Sequence, residues 1–269
     1  MVKNEGDKLK SVIVCEPKKE YFEVADPKAH NIGEVADRAK AAAEHGALRA
    51  VLRRSGCRVV NIRELAGHPN SVFTRDTSLV TPQGYIKLRM GLRTRRGEEA
   101  WAAAALESLG VPCAGEINEP GTVEGGDVIL AGKVAFIGRS KRTNVSGGGQ
   151  LARLLGIMDY EVRTIVLPNH HLHIGGAMSI VGPAAVLCYK GIFPKGFFEG
   201  FRTIEIPELE SSSANVIALG NDRVIVEKSN PTAAASLRNA GFRVNMVDLS
   251  EFLKGRGGPT CLTLPVDRV

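Results

Sequence analysis

No apolar run in this 269-residue sequence reaches the roughly 18 residues that a membrane-spanning helix needs. The opening, Met1 to Asp7, lacks the apolar core of a secretion signal, so cytoplasm is the expected compartment. Aromatic residues make up only 5% of the chain, and the lysines and arginines behind its net charge of +6 are dispersed. That leaves no basic surface interleaved with stacking rings, so neither nucleic acid nor membrane is an expected partner. Attraction of a small anionic substrate, or plain solubility, accounts for the charge. The five cysteines form no CxxC pair and no metal-ligand spacing. An odd, scattered set in a chain that reads as cytosolic points to free thiols. Cys15, Cys57, Cys113 and Cys188 lie in or beside apolar runs and read as packing residues. No linker or low-complexity stretch divides the sequence, so residues 1–269 are expected to form one domain.

What is present is a loose repeat of strand, tight turn, strand, helix, strand. The clearest copy runs Asn215 to Leu219, a turn at Gly220 to Asp222, Arg223 to Val226, a helix from Pro231 to Ala240, and Arg243 to Val247. Asn230 suits the N-cap, Pro231 the first helical position and Gly241 the stop. A second copy pairs Thr77–Val80 with Tyr85–Leu88 and places a helix over Gly97 to Leu109. A third pairs Val128–Leu130 with Val134–Ile137, with a helix around Gln150 to Leu155. A fourth pairs Ala177–Val181 with Ala185–Tyr189 and has no obvious long helix. The N-terminus supplies Ser11–Val14, a helix over Glu34 to Arg54, and Arg58–Ile62. Its missing hairpin partner is expected at Cys261 to Leu264, so that the two chain ends pair. Five such units predict a closed α/β propeller with pseudo-fivefold symmetry, built of ββαβ-like repeats.

Polar or reactive residues fall just before the first strand of each unit. They are Asp76, then Glu124 and Asp127, then His171 and His173, then Ser211 to Ser213, then Cys261. In a cyclic array these equivalent positions converge at one end of one axis. Gly257-Gly258-Pro259 delivers Cys261 to a strand mouth, where a thiol is well placed as a nucleophile. A cysteine opening a strand can equally be a small core residue. Paired carboxylates at Asp76 and Glu124 suit a planar cation with several donors, a guanidinium better than an ammonium. A histidine such as His171 suits proton transfer near neutral pH. The alternatives are a turn at Gly125-Gly126-Asp127, a surface ion pair at Arg75-Asp76 and solvated loop histidines at 170 and 171. His171 and His173 alone do not make a metal site, which would need further ligands.

Phe73-Thr74-Arg75-Asp76, Glu124-Gly125-Gly126-Asp127, Gly138 to Asn144, His171-Leu172 and the late Cys261 together resemble the guanidine-modifying enzymes of the pentein fold. The resemblance runs from about residue 10 to the end and is nearest to the dimethylarginine dimethylaminohydrolases, with arginine deiminases and amidinotransferases as relatives. Thr94 to Glu98 and Ser140 to Asn144 look like that branch. The resemblance implies that Cys261 is the nucleophile and His171 the acid and base. It implies that Asp76 and Glu124 hold the guanidinium, with Glu124 in the catalytic set. Arg95 and Arg142 would hold a substrate carboxylate, Asp127 would support the site, and Asn70 and Phe73 would complete the substrate-binding set.

Two departures bear on the substrate. Deiminases carry Asp two residues after the catalytic histidine; here His173 stands there, which argues against plain arginine. Asn70 stands where the dimethylargininase branch often has Asp near the substrate amine. The implied reaction is covalent: Cys261 attacks the guanidinium carbon, His171 protonates the departing amine, and water hydrolyses the thiouronium to citrulline. No cofactor or metal is required. Deimination of arginine and amidino transfer remain alternatives, as does the non-catalytic ribosome-binding role of the same fold. A homodimer is allowed. The stretch from Glu20 to Gly33 can serve as a lid or as an ordered loop.

Overall fold

The first two strands of most units are apolar at nearly every position rather than alternating, which marks strands buried on both faces. Val128–Ala131, Met178–Gly182, Ala185–Tyr189 and Val216–Gly220 are buried throughout. The architecture follows from covering them. The computed structural model describes residues 1–208 and 213–269. In chain order the elements are β1 (Leu9–Cys15), α1 (Lys19–Phe22), α2 (Arg38–Arg54), β2 (Arg58–Ile62), β3 (Ser78–Thr81), β4 (Gly84–Lys87), α3 (Glu98–Ser108), β5 (Cys113–Glu116), β6 (Val128–Ala131), β7 (Val134–Arg139), α4 (Val145–Ile157) and β8 (Glu161–Val166). They continue with β9 (Met178–Gly182), β10 (Ala185–Tyr189), β11 (Arg202–Ile206), β12 (Val216–Gly220), β13 (Arg223–Glu227), α5 (Pro231–Asn239), β14 (Arg243–Val247), α6 (Ser250–Leu253) and β15 (Leu264–Arg268).

The strands form five three-stranded sheets, ordered β15-β1-β2, β3-β4-β5, β6-β7-β8, β9-β10-β11 and β12-β13-β14. In each, the middle strand pairs antiparallel with one neighbour and parallel with the other. The parallel pairing requires a crossover, which α2, α3, α4 and α5 provide in four of the units. Each helix lays an apolar stripe on its sheet, such as Leu48 and Leu52 of α2 or Leu151 and Leu155 of α4. Contacts run from β15 to β3, through the turns before β3 and β6, from β6 to β9, from β9 to β12 and from β12 back to β1. The sheets thus close a ring, and the fold is the pentein-type α/β propeller. Among the described residues, no helix is long and apolar enough to cross a membrane.

The fourth unit has no helix between β10 and β11. Phe197, Phe198 and Phe201 pack on Phe136 of β7, in the third sheet, at ring-centre distances of 5.3, 5.6 and 5.6 Å, in an apolar cluster that also takes in Met178, Ile180, Val186 and Cys188 of the fourth sheet. Other differences from the sequence reading are local. α2 starts at Arg38 because Asp37 caps it, accepting from the Lys40 N–H at 2.9 Å, while the Gly33 N–H is held by the Lys254 carbonyl. α4 starts at Val145 rather than near Gln150, because Asn144 accepts from the Gly147 N–H at 2.8 Å. Asn230 occupies the cap position of α5, but its side chain makes no capping bond, the backbone there having φ −108° and ψ 61°. Cys113 is exposed rather than packed, since β5 is an outer strand with that residue facing outward. The last strand begins at Leu264, so Cys261 lies in the turn before it, its N–H donating to the Gly258 carbonyl at 3.2 Å. The chain ends do pair, Ile13 opposite Leu264 and Val12 opposite Pro265.

Candidate active site

Three short 3-10 turns, Thr74–Asp76, Gly125–Asp127 and Ile174–Gly176, each run into the first strand of a unit. They hydrogen-bond to one another around the axis. The Gly126 N–H donates to Asp76 Oδ1 at 3.0 Å, and the Ile174 N–H to Asp127 Oδ1 at 3.0 Å. The Asn215 amide donates to the Gly175 carbonyl at 3.2 Å, and the Arg75 N–H to the Cys261 carbonyl at 3.2 Å. Buried Arg75 adds bonds to the carbonyls of Gly125 and Val128 and a 2.6 Å ion pair with Glu5. A side chain at Gly126 has no room: a Cβ would lie 2.6 Å from His173 Nδ1. The convergence expected of a cyclic array is realised. Ser211 and Ser212 lie outside the described residues; Ser213 is buried against Tyr189.

The carboxylates are buried and paired. Asp76 Oδ2 accepts from Arg95 Nη1 at 2.6 Å. Glu124 accepts from the N–H groups of Gly91 and Leu92, from Arg142 at 3.1 Å and from His173 Nε2 at 2.8 Å. Burial would raise the Glu124 pKa, but the bonded imidazole of His173 and the charges of His173, Arg142 and Arg95 bring it well below the usual carboxylate range. Burial lowers the His173 pKa, but Asp76, Asp127 and Glu124 outweigh it and raise the group to about 9. Asp127 goes the other way: burial lifts it to about 6, against the lowering effects of His173, Ser140 and Thr143. His173 is therefore an imidazolium at neutral pH, and it joins the two substrate-type carboxylates. The sequence places it among the converging polar residues and marks it as a departure, but does not signal that it bridges two buried carboxylates. Asp76, Glu124 and His173 place three ligand-type atoms within 4.8 Å, as do His170, His171 and Glu208. With the His173 proton shared toward Glu124, the first set is a salt-bridged triad.

Two recesses meet at Cys261. The larger, about 600 Å³, is lined by His170, His171, Tyr189, Glu208 and Asn215 among others. The smaller, about 20 Å³, is lined by Asn70, Phe73, Asp76, Arg95 and Arg142, with His30 and Asn31 as its cover. Leu172, His173, Arg256 and Cys261 belong to both. Burial, reinforced by the Asp76 charge, pushes the Cys261 thiol above its ordinary pKa, with hydrogen bonds from Gly258, Asn215 and Thr260 working against that. His171 lies tilted against His170 and Tyr189, with ring centres 4.3 and 5.8 Å away, and its Nε2 lies 3.2 Å from Glu208. Burial lowers its pKa, opposed by Glu208 and assisted by His170.

Three residues expected to meet the substrate are held by other parts of the chain in this structure. Glu124 does not line either recess: its oxygens are saturated by backbone and by the side chains in front of it. Arg95 bonds to Asp76, Glu98 and the carbonyls of Asn70 and Phe73, and Arg142 bonds to Glu124. Both arginines are thus held on protein carboxylates, drawn there by the cost of burying unpaired charge. Asn70 keeps one free acceptor in the small recess: its amide donates to the His30 carbonyl at 3.2 Å, while its buried Oδ1 has no partner. The stretch from Glu20 to Gly33 is an ordered strap, with Tyr21 stacked on Phe252 at 5.4 Å and residues 30 and 31 over the small recess.

The family model described as N,N dimethylarginine dimethylhydrolase, eukaryotic, matches residues 23–268. The N(G),N(G)-dimethylarginine dimethylaminohydrolase of Pseudomonas aeruginosa is 32% identical over 231 residues, covering 85% of this chain and 89% of its own. The Streptomyces coelicolor protein of that name is 31% identical over 203 residues, covering 73% and 74%. Among solved structures, a cysteine-to-serine mutant of the Pseudomonas aeruginosa enzyme complexed with citrulline superposes with a TM-score of 0.85 at 29% identity, covering 96% of this chain and 99% of that one. The N-terminal domain of a cyanobacterial arginine dihydrolase shares the fold, with a TM-score of 0.84 at 23% identity over 97% and 98% of the two chains.

Proposed function

The chain belongs to the dimethylarginine dimethylaminohydrolase family, and from that premise we propose that it hydrolyses Nω-methylated arginine to citrulline and a methylated amine through a covalent bond to Cys261. It is a hydrolase of C–N bonds acting on a small guanidino compound, which sets aside the ribosome-binding reading. One observation carries the finer reading. Cys261 stands where the recess holding the buried Asp76 carboxylate meets the recess holding His171.

The steps follow from those positions. A guanidinium entering beside Asp76 brings positive charge to a thiol that is protonated at rest, and lowers its pKa. His171, kept neutral by its lowered pKa, takes the thiol proton as the thiolate adds to the guanidinium carbon. His171 gives its proton to the departing amine, the C–N bond breaks, and an S-alkylthiouronium remains. His171, now neutral, takes a proton from water as its oxygen adds to the same carbon. Loss of the thiolate leaves the urea of citrulline. Arg95, Arg142, Asn70 and Phe73 surround the amino-acid end of the ligand, with Arg142 exchanging its bond to Glu124 for the ligand carboxylate. Asp127 and Glu124 act from behind, through the His173 turn.

Amidino transfer is a second reading with one observation in its favour. The recess on the His171 side, about 600 Å³, far exceeds the roughly 10–15 Å³ of cavity that a single water molecule needs. Deimination of arginine is disfavoured by His173, a cation where the deiminase pattern has a carboxylate. The test is citrulline formation from dimethylarginine, monomethylarginine, arginine and agmatine side by side, with Cys261→Ser as control. Citrulline from the methylated substrates alone is expected. Full turnover by Cys261→Ser would eliminate that thiol as nucleophile, and equal use of agmatine would eliminate the arginines as carboxylate holders.

A further inference from the structure

Asn215 sits just before β12, the equivalent of Asp76 and His173 in its own unit. It is buried, and its flanking backbone is pinned on both sides by Ser179. The Ser179 hydroxyl donates to the Ala214 carbonyl at 2.7 Å and accepts from the Val216 N–H at 3.1 Å. Its amide has three partners. Oδ1 accepts from the Thr260 N–H at 2.9 Å, and Nδ2 donates to the Gly175 carbonyl at 3.2 Å and to Cys261 Sγ at 3.6 Å. The first two settle the amide orientation. A backbone N–H can only donate and a carbonyl can only accept, so the oxygen must face Thr260 and the nitrogen must face Gly175. The second N–H is then committed to the sulfur. Close packing enforces this: a Cβ on Gly258 would fall 2.7 Å from Asn215 Oδ1.

We propose that Asn215 is the positioning residue of the nucleophile, a fixed amide that orients Cys261 Sγ and stabilises its thiolate while tying the Cys261 turn to the turn after His173. The inference rests on Cys261 being the attacking group. An N–H aimed at sulfur is worth more once the sulfur is charged, so it favours ionisation and attack rather than ligand binding. Its loss should therefore appear in kcat and not in KM.

The test is alkylation of Cys261 by iodoacetamide, followed by peptide mass spectrometry across pH in wild type, Asn215→Ala and Asn215→Asp. The exposed Cys113 serves as an internal reference. The Asp variant separates the two roles of the side chain: it keeps an oxygen for Thr260 but presents no amide to the sulfur. In both variants Cys261 alkylation at pH 7 should slow about 10-fold or more, with the profile displaced upward by about one pH unit. With methylated arginine, kcat should fall about 10- to 100-fold while KM stays within about threefold. An Asp variant that alkylates along the wild-type profile would overturn the proposal. Because alkylation needs no substrate, its outcome is independent of which guanidine the protein turns over. Turnover retained in Cys261→Ser would instead remove the nucleophile and the proposal together. If Asn215→Ala does not fold, Asn215→Asp and Asn215→Ser decide the matter.

Discussion

The two sides of the Cys261 thiol are built differently. On one side Asp76, Glu124, His173, Arg95 and Arg142 are buried and bonded to one another. On the other, His171 touches two rings and one carboxylate at the edge of an open recess. The first side is a charge lattice in which a member gives up one partner only when another charge takes its place. The second is free to change partners. A group that must carry a proton to a leaving amine and then take one from water gains from that freedom. A surface that must hold a cation in one place gains from the lattice. Substitutions on the two sides should therefore fail in different ways.

The sharpest contrast is expected between His171 and His173. His171→Ala should lower kcat with methylated arginine by about 10²- to 10⁴-fold and alter stability by less than about 1 kcal/mol. His173→Ala should lower stability by about 3–5 kcal/mol, read from urea unfolding, because Asp76, Glu124 and Asp127 lose their shared cation. If the His171 variant unfolds as readily as the His173 variant, the two sides are not distinct.

A smaller effect follows from titration. The His173 pKa is raised from 6.5 to about 9 in the folded chain, so its stabilising contribution is complete below pH 6.5 and fades as pH rises through about 9. Unfolding midpoints should drop between pH 7 and pH 10 in wild type, and by clearly less in His173→Asn. Equal drops would place the alkaline sensitivity elsewhere. Next in size, Asn70→Asp should change KM for methylated arginine by a few-fold at most, since it adds a charge where a neutral acceptor already faces the recess. A change in kcat alone would mean that the small recess does not receive the α-amino end. The smallest effect belongs to the exposed pair of Lys228 and Asp248, 3.3 Å apart. Removing it should shift stability by no more than about 0.5 kcal/mol.

The sequence exposes the parts of this design that repeat. Polar residues recurring just before apolar strands locate Asp76, Asp127, His173 and Cys261 at one end of the ring, because a cyclic fold turns sequence position into spatial position. The pattern does not reveal which polar residue faces the ligand and which stands behind it. Glu124 reads as a wall residue until the Gly91 and Leu92 N–H groups are found on its oxygens. Arg95 and Arg142 likewise face carboxylates from their own chain, pairings made over 19 and 18 residues that no local pattern signals. Asn215 reads only as the start of a strand. An asparagine there is unmarked by pattern until its neighbours, one donor and one acceptor, fix the amide. The fourth unit lacks a helical signal for a physical reason, since Phe197, Phe198 and Phe201 fill the apolar space between the third and fourth sheets.

Pairing of β1 with β15 has a kinetic consequence. Ile13 meets Leu264, so the two strands that close this sheet come from opposite ends of the chain. Contacts so remote form slowly, because a long loop must close before they contribute. Cys261 stands in the turn that this pairing anchors. The other four sheets can assemble from segments near in sequence, while the reactive thiol waits for the two ends to find each other. In refolding from urea, Cys261 reactivity and turnover are expected to return together in the slowest phase, after most of the secondary structure has formed. A chain caught before that step would hold a nearly finished scaffold and no chemistry.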